Sequence, residues 1–166
     1  MSVERTIVIM MGVQGSGKST FYATYLAQDF VRVNLDTLKT RNRERLLIEE
    51  CLAAGASYAV DNTNPTRQDR ARYIPAAREK GYRVIGYLMR TGVENCLARN
   101  RGREGKARVP DVAIYATARK LEWPDYDEGF DELYLVENDG AGMTVSPMAR
   151  VNDLTKSYKG MSKYEN

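Results

Sequence analysis

Eight residues near the N-terminus, Gly12-Val13-Gln14-Gly15-Ser16-Gly17-Lys18-Ser19, satisfy the pattern GxxxxGK[ST] of a loop that wraps phosphates. The glycines let backbone N–H groups turn toward an anion, and a helix opening at the end of the loop points its positive pole at the same place. Lys18 then adds a full charge at the β/γ-phosphate position, and the Ser19 hydroxyl can ligate Mg²⁺. The expected cofactors are ATP and Mg²⁺, with Gly12, Gln14, Gly15, Ser16, Gly17, Lys18, Ser19 and Thr20 on the nucleotide. Such a loop is compatible with a hydrolase, a switch, a motor or a kinase, so the acceptor side has to decide between them.

The chain contains no histidine, which excludes Ser-His-Asp and Cys-His nucleophiles, an imidazole base and a histidine zinc site. A general base must therefore be a carboxylate or an amine. Asp36 lies just past the second strand and could take the proton of an attacking hydroxyl, or it could simply cap the helix that follows. Asp61 ends the third strand, where an acid positions Mg²⁺ in this class. It opens Asp61-Asn62-Thr63-Asn64-Pro65, which turn chemistry alone would also explain. Arg99, Arg101 and Arg103 close a helix that runs into a glycine-containing loop with Gly102 and Gly105. They read either as a lid over a transferring phosphoryl group or as a solvated basic loop.

The elements that must hold these residues alternate. An apolar run at 6–11, a short strand at 31–34, a strand at 58–60, the clear strand 82–89 and a last one at 131–136 are separated by helical patterns. The helices are expected over 18 to about 28, from Asp36 to about Ala54 with Gly55 as its stop, over 66–80 with a break at Pro75, over 92 to about 101, and over 110 to about 123. Five strands alternating with helices predict an α/β fold, a parallel five-stranded sheet with helices on both faces. Tyr82, Tyr87 and Tyr134 fall in strands and read as core, whereas Trp123 could stack a base.

With 166 residues, 43% hydrophobic and 28% charged, the chain has the size and composition of one globular domain. The first apolar run is too short to cross a bilayer, so a soluble, cytoplasmic protein with no membrane partner is expected. Cys51 and Cys96 stand too far apart for a redox pair and are too few for a thiolate zinc site, and read as buried free thiols. The net charge of +3 conceals a division: residues 66–83 and 90–108 each carry six basic against two acidic residues, and 111–139 carry nine acids against Arg119 and Lys120. A basic middle suits a polyanionic partner or a solvated face.

The GSGKST loop, an aspartate following an asparagine-ended second strand, Asp-Asn-Thr-Asn-Pro, and Arg99-Asn100 leading through Arg103 to Val109-Pro110-Asp111-Val112 are together similar to the kinase module of polynucleotide 5′-kinases. Glu128-Gly129-Phe130 also resembles the kinase domain of the animal repair enzyme. The likeness runs from about residue 6 to 136, in order and spacing across four segments. It implies a single P-loop kinase domain over residues 1–137 with an arginine-bearing lid at about 100–109, followed by an extension, 138–166, to which no role is assigned. It implies Asp36 as general base for a 5′-hydroxyl, with Lys18 and Arg103 on the transferred phosphoryl and Arg99 supporting the nucleotide. Ser19 and Asp61 would attend the metal, and Lys39, Asp61, Asn62 and Asn64 the acceptor. Lys39 stands where the phage enzyme has an arginine, which exchanges a bidentate grip for a point charge. Neither an Asp-x-Asp-Gly-Thr phosphatase motif nor a Lys-x-Asp-Gly ligase motif occurs, so 3′-end processing is not expected.

The expected function is ATP-dependent transfer of the γ-phosphoryl to the 5′-hydroxyl of DNA or RNA, with the nucleic acid end as partner and the oligomeric state open. A kinase of the same fold acting on a metabolite, a nucleoside or a hydroxyl on a modified base is the first alternative. A nucleotide-binding regulatory or nucleic-acid-binding module is the second.

Overall fold

A computed structural model describes residues 4–150. Thr6–Met11 forms β1, and all six side chains are buried, as a strand covered on both faces requires. The other strands are β2 (Val31–Val33), β3 (Tyr58–Val60), β4 (Arg83–Arg90), β5 (Glu132–Asn138) and β6 (Met143–Pro147), in the order β2-β3-β1-β4-β5-β6. The first five run parallel, in agreement with the alternation of the sequence. The sixth is an addition: β6 pairs antiparallel with β5 and draws residues beyond 137 into the sheet. Four of its five side chains are exposed, so this edge strand carries no apolar alternation to announce it.

Successive β1 side chains feed two cores. Ile7, Ile9 and Met11 pack on one face with Val33, Val60, Ile74 and Leu133. Val8 and Met10 pack on the other with Phe21, Leu26, Met89 and Val136. A third cluster, Val13, Cys96, Leu97 and Ile114, seats α6 (Val93–Arg101) and α7 (Asp111–Lys120) against the glycine-rich loop. Cys51 and Cys96 are buried free thiols, and burial pushes both above the ordinary thiol range. Tyr82 is core, while Tyr87 and Tyr134 are half-buried and stack with centroids 5.3 Å apart. Among the described residues no helix is long and apolar enough to cross a membrane.

The helices are shorter than their patterns predict. The helix expected over 18–28 is α1 (Lys18–Phe21) continued by a π turn, Tyr22–Leu26, in which the Thr24 hydroxyl donates to the Thr20 carbonyl. A hydroxyl that takes an i−4 carbonyl bends a helix. The helix expected from Asp36 to Ala54 is two: α2 (Leu35–Leu38) and α3 (Arg41–Ala54), broken at Lys39 with φ 73°. Asn34 and Thr40 cap them, so Asp36 is not the cap. Gly55 ends α3 in the left-handed conformation, as expected. Residues 66–80 divide into α4 (Arg67–Arg70), held by a Thr66–Asp69 capping box, and α5 (Ile74–Glu79), whose first turn accommodates Pro75. Helix α7 stops at Lys120, short of Trp123, because Glu122 is captured elsewhere: its N–H donates to Pro65 O, and its carboxylate accepts from Arg67 N at 2.7 Å.

The 66–83 basic stretch is not uniformly a solvated or polyanion-facing surface. Arg70 is 0% exposed. Its Nε and Nη2 donate to the two oxygens of Glu128 at 2.8 and 3.1 Å, and its Nη1 to the carbonyls of Asn64, Pro65 and Glu122. One guanidinium thus ties the Asp-Asn-Thr-Asn-Pro turn to the segment that follows α7.

Candidate active site

The parallel strands all deliver their carboxyl ends to one side of the sheet, where the residues singled out above are assembled. The glycine-rich loop leaves β1 and is packed tightly. A Cβ on Gly15 (φ 80°) would lie 2.7 Å from the Cys96 carbonyl oxygen of α6. One on Gly17 (φ 102°) would lie 2.8 Å from Asn138 Nδ2 at the end of β5. Both positions combine a positive φ with closed space, so glycine is required by backbone and neighbours alike. Thr91 Oγ1 braces the loop by donating to Ser16 O at 2.9 Å.

Lys18 is buried, and its Nζ donates to Gly12 O at 2.7 Å and Val13 O at 2.9 Å. Burial lowers its pKa from 10.5 to about 8, opposed first by the negative field of Asp61 and more weakly by Asp36, while Arg103 adds to the lowering. Lys18 therefore lies within electrostatic reach of the two other catalytic residues predicted from sequence, Asp36 and Arg103.

Ser19 and Asp61, expected to attend a metal together, do meet: Ser19 Oγ donates to Asp61 Oδ2 at 3.4 Å. Asp61 is 2% exposed. Its Oδ2 also accepts from Arg32 Nε at 2.9 Å and Nη2 at 2.7 Å, and the same Nη2 donates to Ser19 Oγ at 3.0 Å. Arg32 is a site residue that the sequence did not reveal. Its signal was faint: a charge within β2, two residues before the capping Asn34. A hydroxyl and a carboxylate are hard oxygen donors, the set that suits Mg²⁺ when phosphates and water supply the rest.

Asp36 is exposed in the first turn of α2, its carboxylate free of capping duty. Lys39 lies beside it, Nζ donating to the Asp36 carbonyl. A non-glycine residue at φ 73° is uncommon and carries backbone strain. The two asparagines expected on the acceptor both make hydrogen bonds within the protein. Asn64, 4% exposed, donates to Met10 O at 2.8 Å. Asn62 accepts from Leu35 N at 3.0 Å and donates to Glu44 Oε2 at 2.9 Å. Glu44 is buried beside Tyr73, and both Tyr73 and the exposed Arg41 donate to its Oε1. Both asparagines hold the fold: through Asn62 the turn after β3 fixes the start of α2, and with it Asp36, and through Asn64 the same turn is tied to β1. Turn asparagines serve the backbone first.

Arg99 and Arg103 line a cavity of about 400 Å³ together with Gly15, Gly17, Thr20 and the turn between β5 and β6. Arg99 Nη1 donates to Gly15 O at 3.3 Å, whereas Arg101 points to Asp111, 3.9 Å away. Between the two lid arginines, Arg103 is the one placed on the cavity. The buried Asn100 closes the base of this lid, donating to Val109 O at 2.6 Å and accepting from Val109 N at 3.0 Å.

The family model described as an AAA domain matches residues 39–124. A protein of Acanthamoeba polyphaga mimivirus named as a bifunctional polynucleotide phosphatase/kinase is 31% identical over 140 residues, 80% of this chain and 33% of that protein. The bifunctional polynucleotide phosphatase/kinase of Schizosaccharomyces pombe is 30% identical over 138 residues, with the same two coverages of 80% and 33%. The chain thus spans about a third of the length of the curated relatives it matches. Among solved structures, a fungal RNA kinase aligns with TM-score 0.61 at 13% identity over 99% of this chain and 47% of that one. A gluconokinase from Sinorhizobium meliloti 1021 aligns with TM-score 0.51 at 20% identity over 82% and 84%. At these identities the structures show a shared fold.

Proposed function

The chain belongs to the AAA domain family, and from that membership and the assembled site we propose that it is a P-loop kinase that transfers the γ-phosphoryl of ATP to the 5′-hydroxyl of a nucleic acid strand. The observation that carries this reading is the presence of an uncommitted carboxylate, Asp36, on the same sheet end as Lys18, Ser19 and Asp61. A switch or a simple nucleotide-binding module has no use for such a group, whereas transfer to a hydroxyl needs a proton acceptor.

In the proposed mechanism the Asp36 carboxylate takes the proton of the acceptor hydroxyl as its oxygen bonds to the γ-phosphorus and the bond to the β–γ bridging oxygen breaks. Lys18 and Arg103 neutralise the charge spread over the transferring oxygens, which is worth most in a site that excludes water. Thr20 and Arg99, on the cavity beside the loop, would face the nucleotide, and Lys39 the phosphate of the acceptor strand. Ser19 and Asp61 would hold Mg²⁺, directly or through water, and that ion would supply further neutralisation of the phosphates. The relatives of known name support a polynucleotide acceptor, and the basic residues of the lid suit one.

Incubation with γ-labelled ATP, Mg²⁺ and a 5′-hydroxyl oligonucleotide is expected to label that strand, and not its 5′-phosphorylated twin or a pool of small metabolites. Label appearing in a metabolite or on an internal base would retain the kinase and reject the strand end as acceptor. In the same assay Asp36→Asn is expected to lower kcat by ~10²-fold with ATP affinity nearly unchanged. An unaltered rate would remove Asp36 as the base.

A further inference from the structure

We propose that Arg32 is a resident counter-cation of the Ser19–Asp61 pair, one that competes with Mg²⁺ for both oxygens, so that it sets how much Mg²⁺ the protein needs to bind nucleotide. The inference rests on the reading of Ser19 and Asp61 as the metal site. Three observations carry it. First, Arg32 engages both candidate ligands with one guanidinium, through Nε and Nη2 on Asp61 Oδ2 at 2.9 and 2.7 Å and through Nη2 on Ser19 Oγ at 3.0 Å. Second, the acid is fully enclosed while the arginine is partly open to solvent, with side-chain exposures of 1% and 35%, so Arg32 can withdraw and Asp61 cannot. Third, in the same pose the guanidinium carbon stands 5.5 Å from the centroid of the Tyr22 ring, in the π turn that follows the phosphate loop, a cation–π contact independent of the two oxygens.

A metal bonded to a serine oxygen sits about 2 Å from it. With the guanidinium nitrogen 3.0 Å from the same oxygen, the two cations could be no more than roughly 5 Å apart, a separation at which like charges repel strongly in a half-buried site. Arg32 must therefore surrender Ser19, and loosen its hold on Asp61, for the ion to enter. In return it keeps a buried carboxylate from standing alone, which would otherwise be costly. Arg32 is in this sense a positioning residue, acting through Ser19 and Asp61.

The test is a Mg²⁺ titration at fixed ADP, read by calorimetry and by the thermal midpoint, on the wild type, Arg32→Gln and Arg32→Lys. Arg32→Gln is expected to reach half-saturation at about tenfold lower Mg²⁺, a change of about 1.4 kcal/mol, and to melt lower than wild type without Mg²⁺ but to recover as the ion is added. Arg32→Lys, which keeps the charge, is expected to stay near the wild type. Equal or higher Mg²⁺ demand in Arg32→Gln, with ADP still bound, would overturn the inference and leave the site reading intact. Failure of the wild type itself to bind ADP in a Mg²⁺-dependent way would overturn both. Should Arg32→Gln not fold, the Arg32 Nε–H resonance of the wild-type protein serves instead: it is expected to shift with Mg²⁺ and ADP together but not with ADP alone, and an unmoved resonance would equally refute the competition.

Discussion

Lys18→Ala is expected to remove nucleotide binding and to reduce phosphoryl transfer by ~10³-fold or more, because the side chain is at once the loop's only full positive charge and, in the proposed mechanism, the group that neutralises the transferring phosphoryl. Binding of ADP by calorimetry and single-turnover transfer separate the two losses, and full activity in the variant would contradict the assignment of the loop. The same residue gives a pH signature. Burial holds its pKa at about 8 in the folded protein against 10.5 in an unfolded chain. Between those values the unfolded state binds more protons, so this group adds stability as pH rises from about 8 to about 10.5 and contributes none of that gain below about 8. Denaturant melts of the protein without nucleotide should therefore show a steeper rise over that window in the wild type than in Lys18→Ala. Identical slopes would mean that Lys18 is not held in a depressed state.

Arg70→Met should cost about 3–5 kcal/mol, the usual consequence of removing one partner of a buried, hydrogen-bonded ion pair. In a domain of this size that corresponds to a fall in Tm of roughly 10 °C. The loss is large because Glu128 would be left as a buried, uncompensated charge and three carbonyls would lose their donor. Glu128→Leu alone should be similarly damaging, and the double variant Arg70→Met/Glu128→Leu less so than the sum of the two. Thermal melts of the four proteins check this. Additive losses would show that the pair does not act as a unit. Activity is a secondary readout, since Arg70 holds the turn that carries Asn64 and not the reacting atoms.

What the sequence made legible was whatever depends on local pattern. The apolar run of β1, the glycine-rich octapeptide after it and the alternation of strands and helices each depend on neighbours in the chain. They were enough to bring Lys18, Ser19, Asp36 and Asp61 to one end of the sheet. The rest was hidden because it depends on partners far away in sequence. Nothing near Arg70 says whether it faces water or Glu128, 58 residues on, and Arg32 finds Asp61 across 29 residues. The structural bonds of the asparagines were hidden for a related reason: in the Asp-Asn-Thr-Asn-Pro turn a side-chain amide can serve a ligand or the backbone, and only the fold shows that they bond Met10 O and Leu35 N. β6 escaped notice because an edge strand with an exposed face needs no apolar code.

The Asn100–Val109 clamp has a bearing on rate. Two hydrogen bonds across its neck make residues 101–108 a tethered loop of fixed span, instead of a loose connection between α6 and α7. The entropy of closing that loop is then spent during folding and not at each encounter with substrate. Arg103 is consequently presented to the cavity at the high effective concentration of an intramolecular partner, and in the proposed mechanism its search for the phosphoryl group becomes a short local motion.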